Sequence, residues 1–140
     1  MKKTVLTFAA IAGLSTFTFG QKIKIPAAVQ TSFEKQYPGT PAKWENEHGK
    51  YEANFKHNGH ELSALYDASG TLEETETEIP VSQLPASVTK YIVEHQLGKI
   101  KEASKITKAN GTIEYEAEVK AGDALFNEAG NFIKIEKEEE

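Results

Sequence analysis

Tyr51–Gly70, YEANFKHNGHELSALYDASG, decides the fold. Asn58-Gly59 is a strong hairpin signal, because a type I′ turn needs positive φ at both central residues. A two-residue turn sets His57 opposite His60, Lys56 opposite Glu61, Phe55 opposite Leu62, Ala53 opposite Ala64 and Tyr51 opposite Tyr66. Tyr51, Ala53, Phe55, Leu62, Ala64 and Tyr66 then share one face. Glu52, Asn54, Lys56, Glu61 and Ser63 share the other, with Leu65 as its apolar exception. The first face wants a core and the second wants water. Gly59→Val is the turn substitution expected to do most harm, since a β-branched side chain resists positive φ. Asp67-Ala68-Ser69-Gly70 closes the stretch as a second turn, in which Asp67 can bond its own backbone and Gly70 can take positive φ.

On the N-terminal side, Ile25-Pro26 opens a helix, with Pro26 where a missing N–H does no harm. Val29, Phe33 and Tyr37 recur four apart and form its apolar stripe. Pro38-Gly39 stops it. Residues 40–47 read as a strand around Trp44, expected in the core beneath the helix, and His48-Gly49 as a turn. On the C-terminal side, the Thr-rich residues 71–79 read as a fourth strand.

The same order then recurs. Leu84-Pro85-Ala86-Ser87-Val88 echoes Ile25-Pro26-Ala27-Ala28-Val29. Val88, Tyr91, Ile92 and His95 are expected on one helical face. Residues 100–108 form a strand, with Asn110-Gly111 at its turn. Tyr115–Lys120 matches Tyr51–Lys56, Leu125–Gly130 matches Leu65–Gly70, and residues 131–137 form the last strand. The offset runs from 59 to 64 to 60 residues, so the second copy has a longer first turn and a shorter middle hairpin.

The chain thus divides into residues 1–20, residues 21–80 and residues 81–140. The last two are tandem units of one helix and four antiparallel strands. The fold class is α+β, with one continuous sheet of about eight strands and both helices on one face. A unit of about 60 residues is marginal for a lone core, so the two are expected to share one and to fold as a single cooperative domain.

Residues 1–20 read as a secretory signal. Lys2 and Lys3 are the positive end, residues 5–19 the apolar run, and Thr18 and Gly20 the small residues before a cut at Gln21. The expected location is periplasmic or secreted, with no membrane association after the cut. Removing Lys2 and Lys3 from 16 basic residues leaves 14 against 21 acidic ones, a balance of −7. Such a chain does not suit nucleic acid. It suits a basic partner, a cation or plain solubility. The chain has no cysteine, which excludes disulfides, thiolate metal sites and a Cys nucleophile.

Pro26, Ala27, Val29, Pro38, Gly39, Trp44, Glu45, Tyr51, Glu52, Phe55, Asn58, Gly59, Tyr66, Asp67 and Gly70 together resemble the PepSY-like family of secreted bacterial proteins. That family is described as similar in fold to the β-lactamase-inhibitor protein. The second copy departs from the pattern, with Ala103 in place of the Trp and Leu97-Gly98 in place of Pro-Gly. The resemblance implies tandem helix-plus-four-strand units, an export signal and a binding or inhibitory role. It brings no catalytic residues.

The residues themselves carry no nucleophile elbow, HExxH, P-loop or dinucleotide fingerprint. No catalytic residue, cofactor or metal ligand is assigned. His57 and His60 flank the Asn58-Gly59 turn and face each other; two imidazoles at that range can chelate Zn²⁺ or Cu²⁺, with Glu61 near, but they are short of a structural zinc site, and the favoured reading is a pair of solvated turn histidines. Asp67–Gly70 lacks the alternating ligands of a calcium loop. Glu73, Glu74, Glu76 and Glu78 crowd one strand and Glu114, Glu116 and Glu118 another. They make either a solvated, edge-protecting surface or an acidic platform for a basic partner.

The expectation is an exported, non-enzymatic binding module that engages a protein partner, basic if electrostatics guide it, through the open sheet face. The resemblance allows inhibition as its mode of action. The candidate contact residues are Glu52, Asn54, Lys56, Glu61, Ser63, Leu65, Glu114, Glu116, Glu118, Lys120 and Leu125. Leu65 and Leu125 would be exposed apolar islands on a flat, acidic surface. The alternative is a small-ligand or metal-binding protein of the cell envelope, which would show an enclosed pocket instead.

Overall fold

The computed structural model describes residues 23–137. The expected signal segment, its cut at Gln21 and the acidic end at 138–140 lie outside them. Helix α1 (Ala27–Gln36) begins after Pro26, whose φ of −56° already suits a helix start. Its Val29 and Phe33 are buried, and the Gly39 N–H donates to Glu34 Oε1 at 2.9 Å just past its end. Strands β1 (Lys43–Glu47), β2 (Lys50–His57), β3 (His60–Tyr66) and β4 (Leu72–Glu78) follow. A 3₁₀ turn at Val81–Gln83 leads to helix α2 (Ala86–Glu94). Strands β5 (Glu102–Lys108), β6 (Ile113–Val119), β7 (Gly122–Asn127) and β8 (Phe132–Glu136) complete the order.

The eight strands lie in sequence order across one antiparallel sheet. The β2–β3 register agrees with the two-residue turn throughout, from Tyr51 opposite Tyr66 to His57 opposite His60. Asn58 and Gly59 take φ of 51° and 80°. The first turn of the second copy is longer, as the offsets require: the strands leave pairing at Thr107 and Ile113, and the Gly111 N–H bonds to the Lys108 carbonyl.

Both copies carry the same irregularity. The register slips by one residue at Leu65/Tyr66 and again at Leu125/Phe126. Each slip precedes a side-chain-capped turn: Asp67 Oδ1 accepts from the Ser69 and Thr71 N–H groups, and Asn127 Oδ1 accepts from the Asn131 N–H. Each turn is also held to its helix, through the Ser32 hydroxyl on the Gly70 carbonyl and the Ser87 hydroxyl on the Ala129 carbonyl.

The two helices pack on the same face. Val29 and Phe33 of α1 meet Ala53, Phe55, Ala64 and Tyr66, with Trp44 and Tyr51 partly buried around them. Val88 and Ile92 of α2 meet Ala103, Ala117, Val119, Ala124 and Phe126. Cross-strand partners share a face, and Ala64–Thr75–Thr107 joins the two groups through β4 and β5. The expectation of one shared core is corrected here. Each helix covers its own apolar cluster, because Thr75, Thr77, Lys105 and Thr107 on β4 and β5 put no large apolar side chain between them. His95 also departs from its expected place: it is exposed at the end of α2, where its ring stacks on Tyr91 at 3.8 Å.

Candidate functional site

Strict alternation assigns the face opposite the helices. From the printed registers it carries Glu52 and Asn54 of β2, Ser63 and Leu65 of β3, Glu74, Glu76 and Glu78 of β4, and Glu102, Ser104 and Ile106 of β5. It continues with Glu114, Glu116 and Glu118 of β6, Asp123 and Leu125 of β7, and Lys134 and Glu136 of β8. This is the surface that the sequence marks as acidic.

It is not a solvated plane. Glu52, Ser63, Leu65, Glu76, Ser104, Ile106, Glu116, Asp123 and Leu125 are all buried. Among the expected contact residues, Asn54, Glu114 and Glu118 are half-buried, and only Lys56, Glu61 and Lys120 are exposed. Leu65 and Leu125 hold matching positions as expected, but they are 6% and 1% exposed and form no apolar islands. The physical reason is curvature. Glu76 on β4 interacts electrostatically with Glu52 on β2 and with Asp123 on β7. Three strand spacings in a flat sheet are roughly 14 Å, so the side chains of this face must converge. The face is concave, and the reading of it as flat is corrected.

Convergence crowds like charge. Burial, then the charges of Glu52, Glu74 and Asp123, push the Glu76 carboxyl up, against a hydrogen bond from the Ser104 hydroxyl that lowers it. Burial again, then Glu76, Asp123, Glu136 and Glu118, push Glu116 up. Glu76 Oε1 and Glu116 Oε2 are buried without a hydrogen-bond partner. Burial also raises Glu74, opposed chiefly by Lys108, and raises Glu102 with help from Glu118 and Glu78. These carboxyls lie on the central strands β4, β5 and β6, so the edge-protecting reading fails for them. Cations stand around the margin: Lys56 on Glu61 at 2.9 Å, Lys108 on Glu114 at 3.0 Å, Lys101 on Glu118 at 3.1 Å, and Lys50 on Glu73.

A small cleft opens in this face over β3, β4 and β5, lined by Glu61, Leu62, Ser63, Glu76, Glu78, Glu102 and Ser104. The sequence reading names Glu61 and Ser63 of these and omits Glu76, Glu78, Glu102 and Ser104 from its contact residues. The signal for the first two was present, since Glu74, Glu76 and Glu78 alternate with Thr75 and Thr77. Glu102 and Ser104 become visible only once β4 is known to pair with β5. Among the described residues, no group of three or more acidic or histidine side chains is placed to hold a metal ion. No described helix is long and apolar enough to cross a membrane. His57 packs edge-on against Tyr37 at 5.3 Å.

A family model described as "Putative beta-lactamase-inhibitor-like, PepSY-like" matches residues 20–73 and again residues 49–134. The chain belongs to this PepSY-like family. The match is repeated, its two segments overlapping over residues 49–73, which is consistent with a tandem repeat. Solved structures share the fold. A Bacteroides eggerthii protein described as "putative periplasmic" superposes with a TM-score of 0.71 at 17% identity, covering 81% of this chain and 88% of that one. A BLIP-like protein from Bacteroides fragilis gives 0.64 at 24% identity, covering 82% and 87%. A DUF2874 family protein from Bacteroides uniformis gives 0.68 at 21% identity, covering 79% and 88%. No curated protein matches the chain.

Proposed function

We propose that this PepSY-like protein is an exported, non-enzymatic binding module that receives a basic protein partner on its concave sheet face, and that it acts as an inhibitor. One observation carries the reading. The face opposite the helices buries acidic side chains from four strands, Glu52 of β2, Glu76 of β4, Glu116 of β6 and Asp123 of β7, and burial beside like charge holds Glu76 and Glu116 toward their protonated form. Burying like charges in this way works against folding. A fold that only needed solubility would leave them in water. A complementary cation removes the repulsion, steers association and sets specificity. The inhibitor-like family description and the BLIP-like neighbour point the same way. The neighbour described as periplasmic supports export.

The test is a hydrogen-exchange footprint of the protein with whatever envelope protein it captures. Protection across β2–β7 on binding supports the reading. Protection confined to α1 and α2 refutes it. A small-ligand role is the second reading, and the cleft over β3–β5 favours it to this extent: binding would then protect only the strands lining the cleft.

A further inference from the structure

The chain carries two Asn-Gly turns, Asn58-Gly59 between β2 and β3 and Asn110-Gly111 between β5 and β6. All four residues are exposed. Both glycines take positive φ, 80° and 84°, and a Cβ at either would meet nothing within 4 Å. The two turns differ in their hydrogen bonds. Asn110 Oδ1 accepts from the Thr112 N–H at 2.9 Å, and the Gly111 N–H donates to the Lys108 carbonyl at 2.9 Å. Among the described residues, neither the Asn58 side chain nor the Gly59 N–H makes a hydrogen bond. In a two-residue turn the closing bonds run between the flanking residues, here His57 and His60, and the Gly59 N–H is left to water. We propose that Asn58 is a site of spontaneous covalent modification, at which the Gly59 nitrogen closes on the Asn58 side chain, and that Asn110 is protected from the same reaction.

The step balances without an oxidant or a reductant. The Gly59 nitrogen gives up its proton and forms a bond to Asn58 Cγ. The Cγ–Nδ2 bond breaks, ammonia leaves with that proton, and a five-membered succinimide ring is closed. Glycine offers the attack least hindrance, because it has no Cβ. Water then adds to one of the two ring carbonyls and reopens the ring. Opening on the side-chain nitrogen bond gives aspartate. Opening on the backbone side gives isoaspartate, in which the main chain runs through the former side-chain carbon. At Asn110 the attack first requires the Gly111 N–H to leave Lys108 and the side chain to leave Thr112. Opening both bonds is worth about a tenfold slower reaction. The two products act differently on the fold. Asp-Gly suits the same type I′ turn, so the aspartate form keeps the β2–β3 register. Isoaspartate adds a backbone carbon to a loop whose length fixes that register. The His57–His60 pair is lost first, and the Lys56–Glu61 ion pair at 2.9 Å beside it is loosened. Both belong to the hairpin that carries Glu52, Ser63 and Leu65 of the concave face.

The test incubates the full protein near neutral pH, folded in buffer and unfolded in urea. Both Asn-Gly sites are followed by peptide mass mapping, with fragmentation that separates aspartate from isoaspartate. In urea both sites should convert, and each rate there serves as that site's reference. Relative to its own reference, Asn58 should convert about tenfold faster than Asn110 in the folded protein. Equal relative rates, a faster Asn110, or conversion of both sites in urea and of neither when folded would overturn the proposal. Amide spectra of the isotopically labelled protein give the second readout. Asn58→Asp should keep the parent's signals along β2 and β3, while the isoaspartate fraction of the incubated protein should lose those of His57 and His60. Isoaspartate at this position with His57 and His60 unmoved would overturn its stated effect on the hairpin.

Discussion

Glu76 on β4 and Glu116 on β6 stand on the same face of the sheet with β5 between them, and Glu76 Oε1 and Glu116 Oε2 have no hydrogen-bond partner among the described residues. Burial first, and the charge of Glu76 second, hold the Glu116 carboxyl well above the usual carboxylate range. Glu76 is itself pushed up, to about 8, by burial first. Both groups hold a proton more tightly in the folded chain than in the unfolded one.

Stability should therefore fall as pH rises. A carboxyl raised on folding contributes fully below its ordinary value, 4.5, and loses that contribution as pH climbs through its raised value. Urea midpoints taken from about pH 5 to about pH 9 should decline steadily. Glu76→Gln should flatten the decline and make the protein more stable than the parent at the alkaline end. A midpoint that rises with pH, or a slope unchanged in Glu76→Gln, would contradict this electrostatic picture.

The structure reorders the turn substitutions. Gly59 has φ of 80° with open space around it, so Gly59→Ala costs backbone strain alone, about 1–2 kcal/mol. Gly70 has φ of 85°, and a Cβ there would lie 2.5 Å from the Ala28 carbonyl oxygen of α1. Gly70→Ala should cost at least ~1 kcal/mol more than Gly59→Ala by chemical denaturation. Equal losses would mean that the turn does not pack on the helix as described.

Tyr66→Phe isolates one link between helix and sheet. The buried Tyr66 hydroxyl donates to Gln36 Oε1 at 2.7 Å. Its removal should cost about 1 kcal/mol and leave the circular dichroism spectrum unchanged.

The hairpin was legible in the sequence because Asn58-Gly59 fixes a register that the apolar alternation on both sides repeats. The tandem plan was legible because Tyr51–Lys56 and Tyr115–Lys120 carry the same pattern at the same place in each unit. The concave site was only half legible. Alternation says which side Glu76 and Glu116 face, but curvature decides whether that side is wet, and curvature is a property of eight strands together. The separate clusters were missed for a related reason: that β4 and β5 carry threonine and lysine toward the helix side matters only once they are known to be neighbours.

The two clusters are separate, yet β4–β5 pairing runs from Glu74 opposite Lys108 to Glu78 opposite Ser104. Each unit alone remains below a comfortable core size. One thermal transition is expected for the whole protein, and none for an isolated 21–80 fragment. Two resolved transitions, or a folded fragment, would break the claim of one cooperative domain.

On the proposed function, a partner meets the sheet face and not the helices. Glu61 and Glu78 are exposed acids at the rim of the cleft; Glu94 and Glu128 are exposed acids on the helix side. The direct measurement compares Glu61→Lys/Glu78→Lys with Glu94→Lys/Glu128→Lys, two variants of equal charge change, for capture of a partner from native envelope extract. The sheet-face pair should abolish capture while the helix-side pair retains it. Capture that survives the sheet-face pair, or that only the helix-side pair destroys, would contradict the account.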